Sequence, residues 1–427
     1  MSHLRARYSL GSAGAALAAL AILGPGTVSA SPGVSPAASA VAFQALSASV
    51  SVTHSKTTTK PAGTTGTSAA GHGTLSANSG TDSSSSTIGL WAADWGGAAS
   101  KRTTAGWQAA AMNDSVLIGE AGVYKKWIPQ LKAWNPNVTI LEYNLGPYLQ
   151  KGSANYNTIL ASDPSWFAHD ARGNLINLPS FPGNYLMDPG NAGYRAWHSQ
   201  QLAASVAEYG FDGAMDDSMG AGPLGSYSSS PPVNPATGTL YTATQWLDAG
   251  VLMLNSDKAA LNGKYLAYNG LVSGPMFVRE SSILATSNAD AGVSELFLRQ
   301  PTSSVTTYPN ATALNDSLTM MSDMAANGKT FLGWTKVWST GTPAQVSQWE
   351  SFDLGVYLLG QGTGSMLDFM PSHSADNTVV SYSNLQQDMG TPMGAYTVSG
   401  STYTRVFQNG TVTVNLATSS STIQMNP

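Results

Sequence analysis

From Ile88 onward, short apolar runs of strand length alternate with segments of helix length. This rhythm restricts the fold more than any other feature, because it marks parallel strands joined by crossover helices. The runs fall at Ile88–Trp95, Ser115–Glu120, Val138–Tyr143, Gly213–Met215, Tyr265–Asn269, Gly292–Leu298, Thr330–Val337 and Ser365–Phe369. Helices are expected over about Thr104–Met112, Lys125–Trp134, Asp188–Tyr209, Thr242–Leu261, Ala311–Asn327 and Pro343–Leu359, the third with Asp188 as N-cap and Pro189 in its first turn. Eight strands are what closes a barrel. The expected fold class is therefore α/β, a (β/α)8 TIM barrel. A long excursion, Asn144–Pro189, breaks the rhythm with a hairpin-like piece turning at Arg172-Gly173. Long loops of this kind shape binding sites.

The two ends of the chain read differently. Met1–Ala30 has a basic start at Arg5 and Arg7, an apolar run and a small-residue end at Val28-Ser29-Ala30, the pattern of a cleaved signal peptide. Residues 31–87 are Ser, Thr, Ala and Gly with too few large apolar residues for a core, and are expected to be a disordered linker. The barrel is assigned to 88–385. In the tail, 386–427, period-two alternation around Asn409-Gly410 predicts a small β appendage. Cysteine is absent and only 10% of residues are charged. Export without disulfides points to a secreted bacterial protein, extracellular or at the cell surface or periplasm, with no membrane attachment after signal cleavage. A net charge of −5 offers no basic stripe for nucleic acid. The protein is expected to be a monomer.

Against so little charge, the acids at strand ends stand out. Asp94, Glu120, Glu142, Asp216, Asp217, Glu295 and Asp368 lie at or near the C-terminal ends of six strands, the face where such barrels carry their active sites. Holding a carboxylate there costs several kcal/mol unless it is paired or hydrogen-bonded. Cleaving a glycosidic bond needs two carboxyl groups, one to protonate the departing oxygen and one to attack the sugar carbon or activate water. Asp216 or Asp217 on strand four, with Glu295 on strand six, is the expected catalytic pair. Successive strand residues point to opposite faces, so only one of the two aspartates can point fully into the pocket. The plainer readings are a cap or loop bond for Asp217 and an ion pair with Arg299 or Lys336 for Glu295. Asp212 precedes its strand and is expected to buttress the barrel bottom.

Aromatic and amide groups at the same level suit the apolar faces and hydroxyl rims of sugars. The candidates for substrate binding are Trp91, Asp94, Trp95, Glu120, Glu142, Tyr143, Asn144, Asn269, Trp334, Lys336 and Asp368, with Tyr148 and Trp338 nearby. Many Trp and Tyr residues at such positions do no more than pack. Lys336 could bond a sugar hydroxyl or pair with Glu295. No metal and no cofactor are expected: His169, His198 and His373 lie at no metal spacing, and the chain has no G-x-S-x-G elbow or phosphate loop.

The runs Tyr185–Trp197 (YLMDPGNAGYRAW) and Tyr209–Asp217 (YGFDGAMDD) resemble the hypothetical glycosyl hydrolase family 15 and, more distantly, the dextranase and cycloisomaltooligosaccharide glucanotransferase family and the α-galactosidase-like clan. The resemblance covers Ile88 to the end. It implies a (β/α)8 barrel acting on carbohydrate, with Asp216 or Asp217 as nucleophile and Glu295 as acid/base. The function expected is a secreted hydrolase of O-glycosidic bonds in an oligo- or polysaccharide, of the retaining type. The alternatives are a non-catalytic carbohydrate-binding barrel and another carbohydrate-active barrel such as a polysaccharide lyase.

Overall fold

A computed structural model describes residues 88–94, 99–271, 282–373 and 383–427. The expected signal peptide, the linker and Trp95 lie outside the described residues. Eight parallel strands close into a barrel: β1 (Gly89–Asp94), β2 (Val116–Gly119), β3 (Thr139–Asn144), β4 (Gly213–Asp216), β5 (Tyr265–Asn269), β6 (Ala291–Ser294), β7 (Thr330–Lys336) and β8 (Met366–Met370). The ring closes where Gly89 and Leu90 of β1 pair with Met366 and Leu367 of β8. Sequence-adjacent strands are neighbours throughout, as right-handed βα units require. The sixth strand is shorter than the Gly292–Leu298 run suggested. The chain leaves the sheet after Ser294, and Leu298 takes a left-handed turn at φ 63°.

The main helices are α1 (Thr104–Asn113), α2 (Ile128–Trp134), α3 (Ala192–Tyr209), α4 (Ala243–Ala260), α5 (Ala311–Ala326) and α6 (Pro343–Gly360). Thr242 and Thr342 start α4 and α6 with full capping boxes, each reciprocated by the glutamine three residues on. α3 starts later than expected. Its N-cap is Asn191, whose side chain accepts from the N–H groups of Gly193 and Tyr194. Asp188 instead turns back to accept from Gly190 N–H and the Tyr241 hydroxyl, both at 2.8 Å. The side-chain turn it makes across Pro189 uses up the oxygen that a cap would need.

Two matching latches close the barrel bottom. Asp212, just before β4, accepts from the Ile140 N–H of β3 and pairs with Lys132 of α2. Asp290, just before β6, accepts from the Leu266 N–H of β5 and pairs with Lys258 of α4. Each joins two strands and a helix at the end remote from the mouth. Gly213 is needed beside the first latch, since a Cβ there would lie 1.8 Å from the Tyr265 carbonyl oxygen.

The long excursion builds a three-stranded sheet from Tyr148–Gln150, Phe181–Leu186 and Asn177–Leu178. Its apolar face packs on Trp246 of α4. The tail forms an antiparallel sheet of β9 (Thr397–Ser399), β10 (Thr402–Val406), β11 (Gly410–Asn415) and β12 (Ser420–Met425). It docks on α6, where Arg405 donates to the carbonyls of Leu358, Leu359 and Gln361 at 2.9–3.0 Å. These are the carbonyls that a helix C-terminus leaves without partners, and a cation suits the dipole there.

Candidate active site

Strand parity decides which acid reaches the mouth. The barrel interior is filled by Trp91 and Ala93, Ile118, Leu141, Met215, Ala267, Val293, Trp334 and Met370. Stepping two residues on from each, Glu120, Tyr143, Asp217, Asn269, Glu295 and Lys336 share the inward parity, and Asp368 lies between inward Met366 and Met370. Asp94, Glu142, Asn144 and Asp216 have the opposite parity and face the helices. The two halves of the Asp216-Asp217 doublet therefore go to different places.

Asp217 and Glu295 meet across one amide. Asn269 Nδ2 donates to Asp217 Oδ1 and to Glu295 Oε2, each at 2.8 Å. The two hydrogens of a planar amide diverge by about 120°, so the acceptor oxygens lie about 5 Å apart. Asp217 Oδ2 accepts from the Tyr143 hydroxyl at 2.7 Å, and Oδ1 also accepts from Ser218 N–H at 2.7 Å. Burial, and then the charge of Glu295, push the Asp217 carboxyl up to about 6 against these three donors. The backbone is tightly constrained here. Ser218 sits at φ 60° and Gly146 at φ 59°, and a Cβ on Gly146 would lie 2.0 Å from the Asp217 carbonyl oxygen. A left-handed non-glycine residue beside a buried acid is the kind of strain kept at functional sites.

Lys336 answers one of the sequence alternatives. Its Nζ lies 2.6 Å from Glu295 Oε1, in the fully buried interior, 3.9 Å from the Trp334 ring centre and 5.1 Å from that of Trp338. Burial lowers its pKa, opposed by the charges of Glu295, Asp217 and Asp368. Trp91 and Trp334 pack edge-to-face at 5.9 Å and are closed to solvent at 1% and 0% exposure, so they form the floor beneath the pair. Tyr143 and Trp338 are half-buried at the rim. Tyr148 is buried in the loop sheet. Glu120 is half-buried in extended backbone at the end of β2.

The outward-facing residues have partners of their own. Asp94 pairs with Arg102 at 2.6 Å and accepts from the Tyr124 hydroxyl. Glu142 accepts from Ser205 of α3 at 2.5 Å, and burial pushes it up to about 7. Asp216 is fully buried beside His198 of α3 and Asp257 of α4. His198 Nδ1 lies 2.9 Å from Asp257 Oδ1, its Nε2 3.3 Å from Asn144 Nδ2 and 3.9 Å from Asp216 Oδ1. Burial first, and then the charge of Asp257, hold Asp216 well above the usual carboxylate range. Among the described residues, this is the group whose donor types could hold a metal, with ligand atoms within 4.8 Å of one another. Both imidazole nitrogens and Asp257 Oδ1 are already engaged, which leaves the Asp216 oxygens and Asp257 Oδ2 as donors.

Sequence reasoning missed three residues here. Tyr227, in the loop after β4, bonds Ser218 and faces the charges of Asp217 and Glu295. Nothing in its Gly/Pro/Ser surroundings marks it. His198 and Asp257 sit on two helices, 59 residues apart, and only helix packing joins them.

An eight-stranded parallel barrel with paired acids at its C-terminal mouth defines a glycoside hydrolase-like barrel. The chain matches the hypothetical glycosyl hydrolase family 15 over residues 132–411 and belongs to that family. No curated protein matches it. Among solved structures, it is similar to an α-galactosidase from Thermus thermophilus (11% identity, 78% of this chain and 67% of that one, TM-score 0.46). It is also similar to a noncanonic maltogenic α-amylase from Thermotoga neapolitana (10% identity, 77% and 85%, TM-score 0.44). A third is a cycloisomaltooligosaccharide glucanotransferase from Paenibacillus sp., at 12% identity and TM-score 0.40, covering 58% of this chain. The chain spans only 37% of the length of that enzyme.

Proposed function

We propose that this protein hydrolyses O-glycosidic bonds of an oligo- or polysaccharide with retention of configuration, Asp217 being the nucleophile and Glu295 the acid/base. The observation that carries the reading is the single Asn269 amide bonded to both carboxylates. The two oxygens it bridges lie about 5 Å apart, which favours the ~5–5.5 Å of retaining enzymes over the ~6.5–9.5 Å of inverting ones. Three donors keep Asp217 as an aimed carboxylate. Glu295 is the more exposed of the two and can reach the departing oxygen, which also fits the roles implied by the family resemblance. In the first step Asp217, as carboxylate, bonds to the sugar carbon while the bond from that carbon to the leaving oxygen breaks and protonated Glu295 gives that oxygen its proton. In the second, Glu295 takes a proton from water as the water oxygen displaces Asp217. Lys336 holds Glu295 in place, and Tyr143 and Trp338 offer the sugar a rim.

We further propose that the protein is exported, loses Met1–Ala30 and acts as a monomer. A reducing-end screen of glycans finds the substrate, and NMR of the first-formed anomer reads the stereochemistry. Asp217→Asn and Glu295→Gln are expected to abolish turnover while the fold persists. Full activity in either variant, or an inverted product, would overturn the reading.

A further inference from the structure

Two routes run from α3 to the backbone of Asp217. On one side, the Asp217 N–H donates to the Asn144 carbonyl at 2.9 Å, and the Asn144 side-chain amide meets His198 Nε2 at 3.3 Å, where a charged imidazole donates to the amide oxygen and a neutral one accepts from the amide NH2. His198 is anchored in turn by Asp257 at 2.9 Å. On the other side, the Tyr194 hydroxyl donates to the Gly146 carbonyl at 3.1 Å, and Gly146 abuts the Asp217 carbonyl. Tyr194 and His198 are one helical turn apart, with ring centres 5.7 Å from each other. Asp216, His198 and Asp257 are buried together. A buried ionic group of this kind is weak as a source of stability, since well-packed apolar side chains of similar volume do as well or better. Its contact with Asn144 gives it another use.

We propose that His198 is a positioning residue for Asp217, acting through Asn144 to hold the strand end from which the carboxylate is presented. The inference rests on the reading of Asp217 as nucleophile. Removing the imidazole leaves the Asn144 side chain without its anchor, and a displacement of about 1 Å at a reacting group costs on the order of a hundredfold in rate.

The test uses the full chain and the substrate found by the reducing-end screen. His198→Ala and Asn144→Ala are each expected to lower kcat by about tenfold to a hundredfold with KM within about twofold of wild type. Because both cut the same link, the double variant falls no further than the worse single one. His198→Gln, which can present an amide where Nε2 stood, recovers most of the loss. Should His198→Ala not fold, Asn144→Ala carries the test, since it leaves the His198–Asp257 pair in place. Wild-type kcat in folded Asn144→Ala or His198→Ala, or losses that multiply in the double variant, would overturn the inference. The Asp217→Asn and Glu295→Gln controls separate the two levels. If either stays active, or if wild type turns over no glycan, the reading of the site fails and takes the inference with it. If both are dead while His198→Ala and Asn144→Ala run at full rate, only the inference fails.

Discussion

Replacing Asn269 with alanine removes the one group among the described residues that is bonded to both carboxylates, and the consequence is a shift in pH dependence. A hydrogen bond to a charged group contributes about 1.5–3 kcal/mol, and about 1.36 kcal/mol corresponds to one pKa unit. Losing the bond from Asn269 therefore moves the Asp217 carboxyl from about 6 to about 7–8. Repulsion acts in the same direction. In the form with Glu295 also ionised, two carboxylates about 5 Å apart repel by about 3 kcal/mol at an effective dielectric of 20, and the amide no longer stands between them. In the proposed mechanism Asp217 attacks as a carboxylate, so activity is expected to fall as pH drops through its pKa. A raised pKa thus pushes the acidic limb of the profile upward. The assay is kcat/KM from pH 4 to 9 for wild type and Asn269→Ala, the limb belonging to the coupled pair. At pH 6 the variant is expected to lose about fivefold to fiftyfold more of its own plateau activity than wild type loses. An acidic limb that stays in place, even beneath a lowered plateau, would refute the reasoning.

Other outcomes follow from the same geometry. Gly146→Ala puts a Cβ 2.0 Å from the Asp217 carbonyl at φ 59°, so it is expected to cost activity by about tenfold or more and stability by about 1–3 kcal/mol, read by kcat and urea unfolding. For His198, burial alone would lower the imidazole pKa, but the charges of Asp257 and Asp216 push it up to about 9. A folded value above the ordinary 6.5 gives stability that is fully present below about pH 6.5 and lost as pH rises through about 9. Melting temperatures of wild type are expected to fall across that window and those of His198→Gln to fall less; parallel curves would count against the assignment. Arg405→Ala strips three bonds from the end of α6. It is expected to destabilise by about 2–4 kcal/mol in denaturant unfolding with little effect on KM.

The strands were readable because each is a local pattern. β5 lies at the expected Tyr265–Asn269, and β7 ends one residue before the expected Val337. β6 was overestimated because apolar Leu296, Phe297 and Leu298 extend the run, although the chain has already turned. The start of α3 was misplaced because Asp188-Pro189 is a good helix opening by type, while the Asp188 oxygen is occupied by Gly190 and Tyr241.

The sequence by itself determined that this is an eight-stranded α/β barrel with acids at its mouth, because strand length, amphipathic spacing and strand-end charge are all properties of neighbouring residues. The tertiary structure decided which acids matter together. The aspartate doublet looks symmetrical in sequence, and β4 is too short to reveal its own parity. Only closure of the barrel, with Met215 in its interior, turns Asp217 to the mouth and Asp216 to the helices. Closure also brings Asn269, Glu295 and Lys336 from three strands onto one set of hydrogen bonds. It joins His198 to Asp257 from two helices. Such contacts are set by packing between distant segments, and no local pattern encodes them.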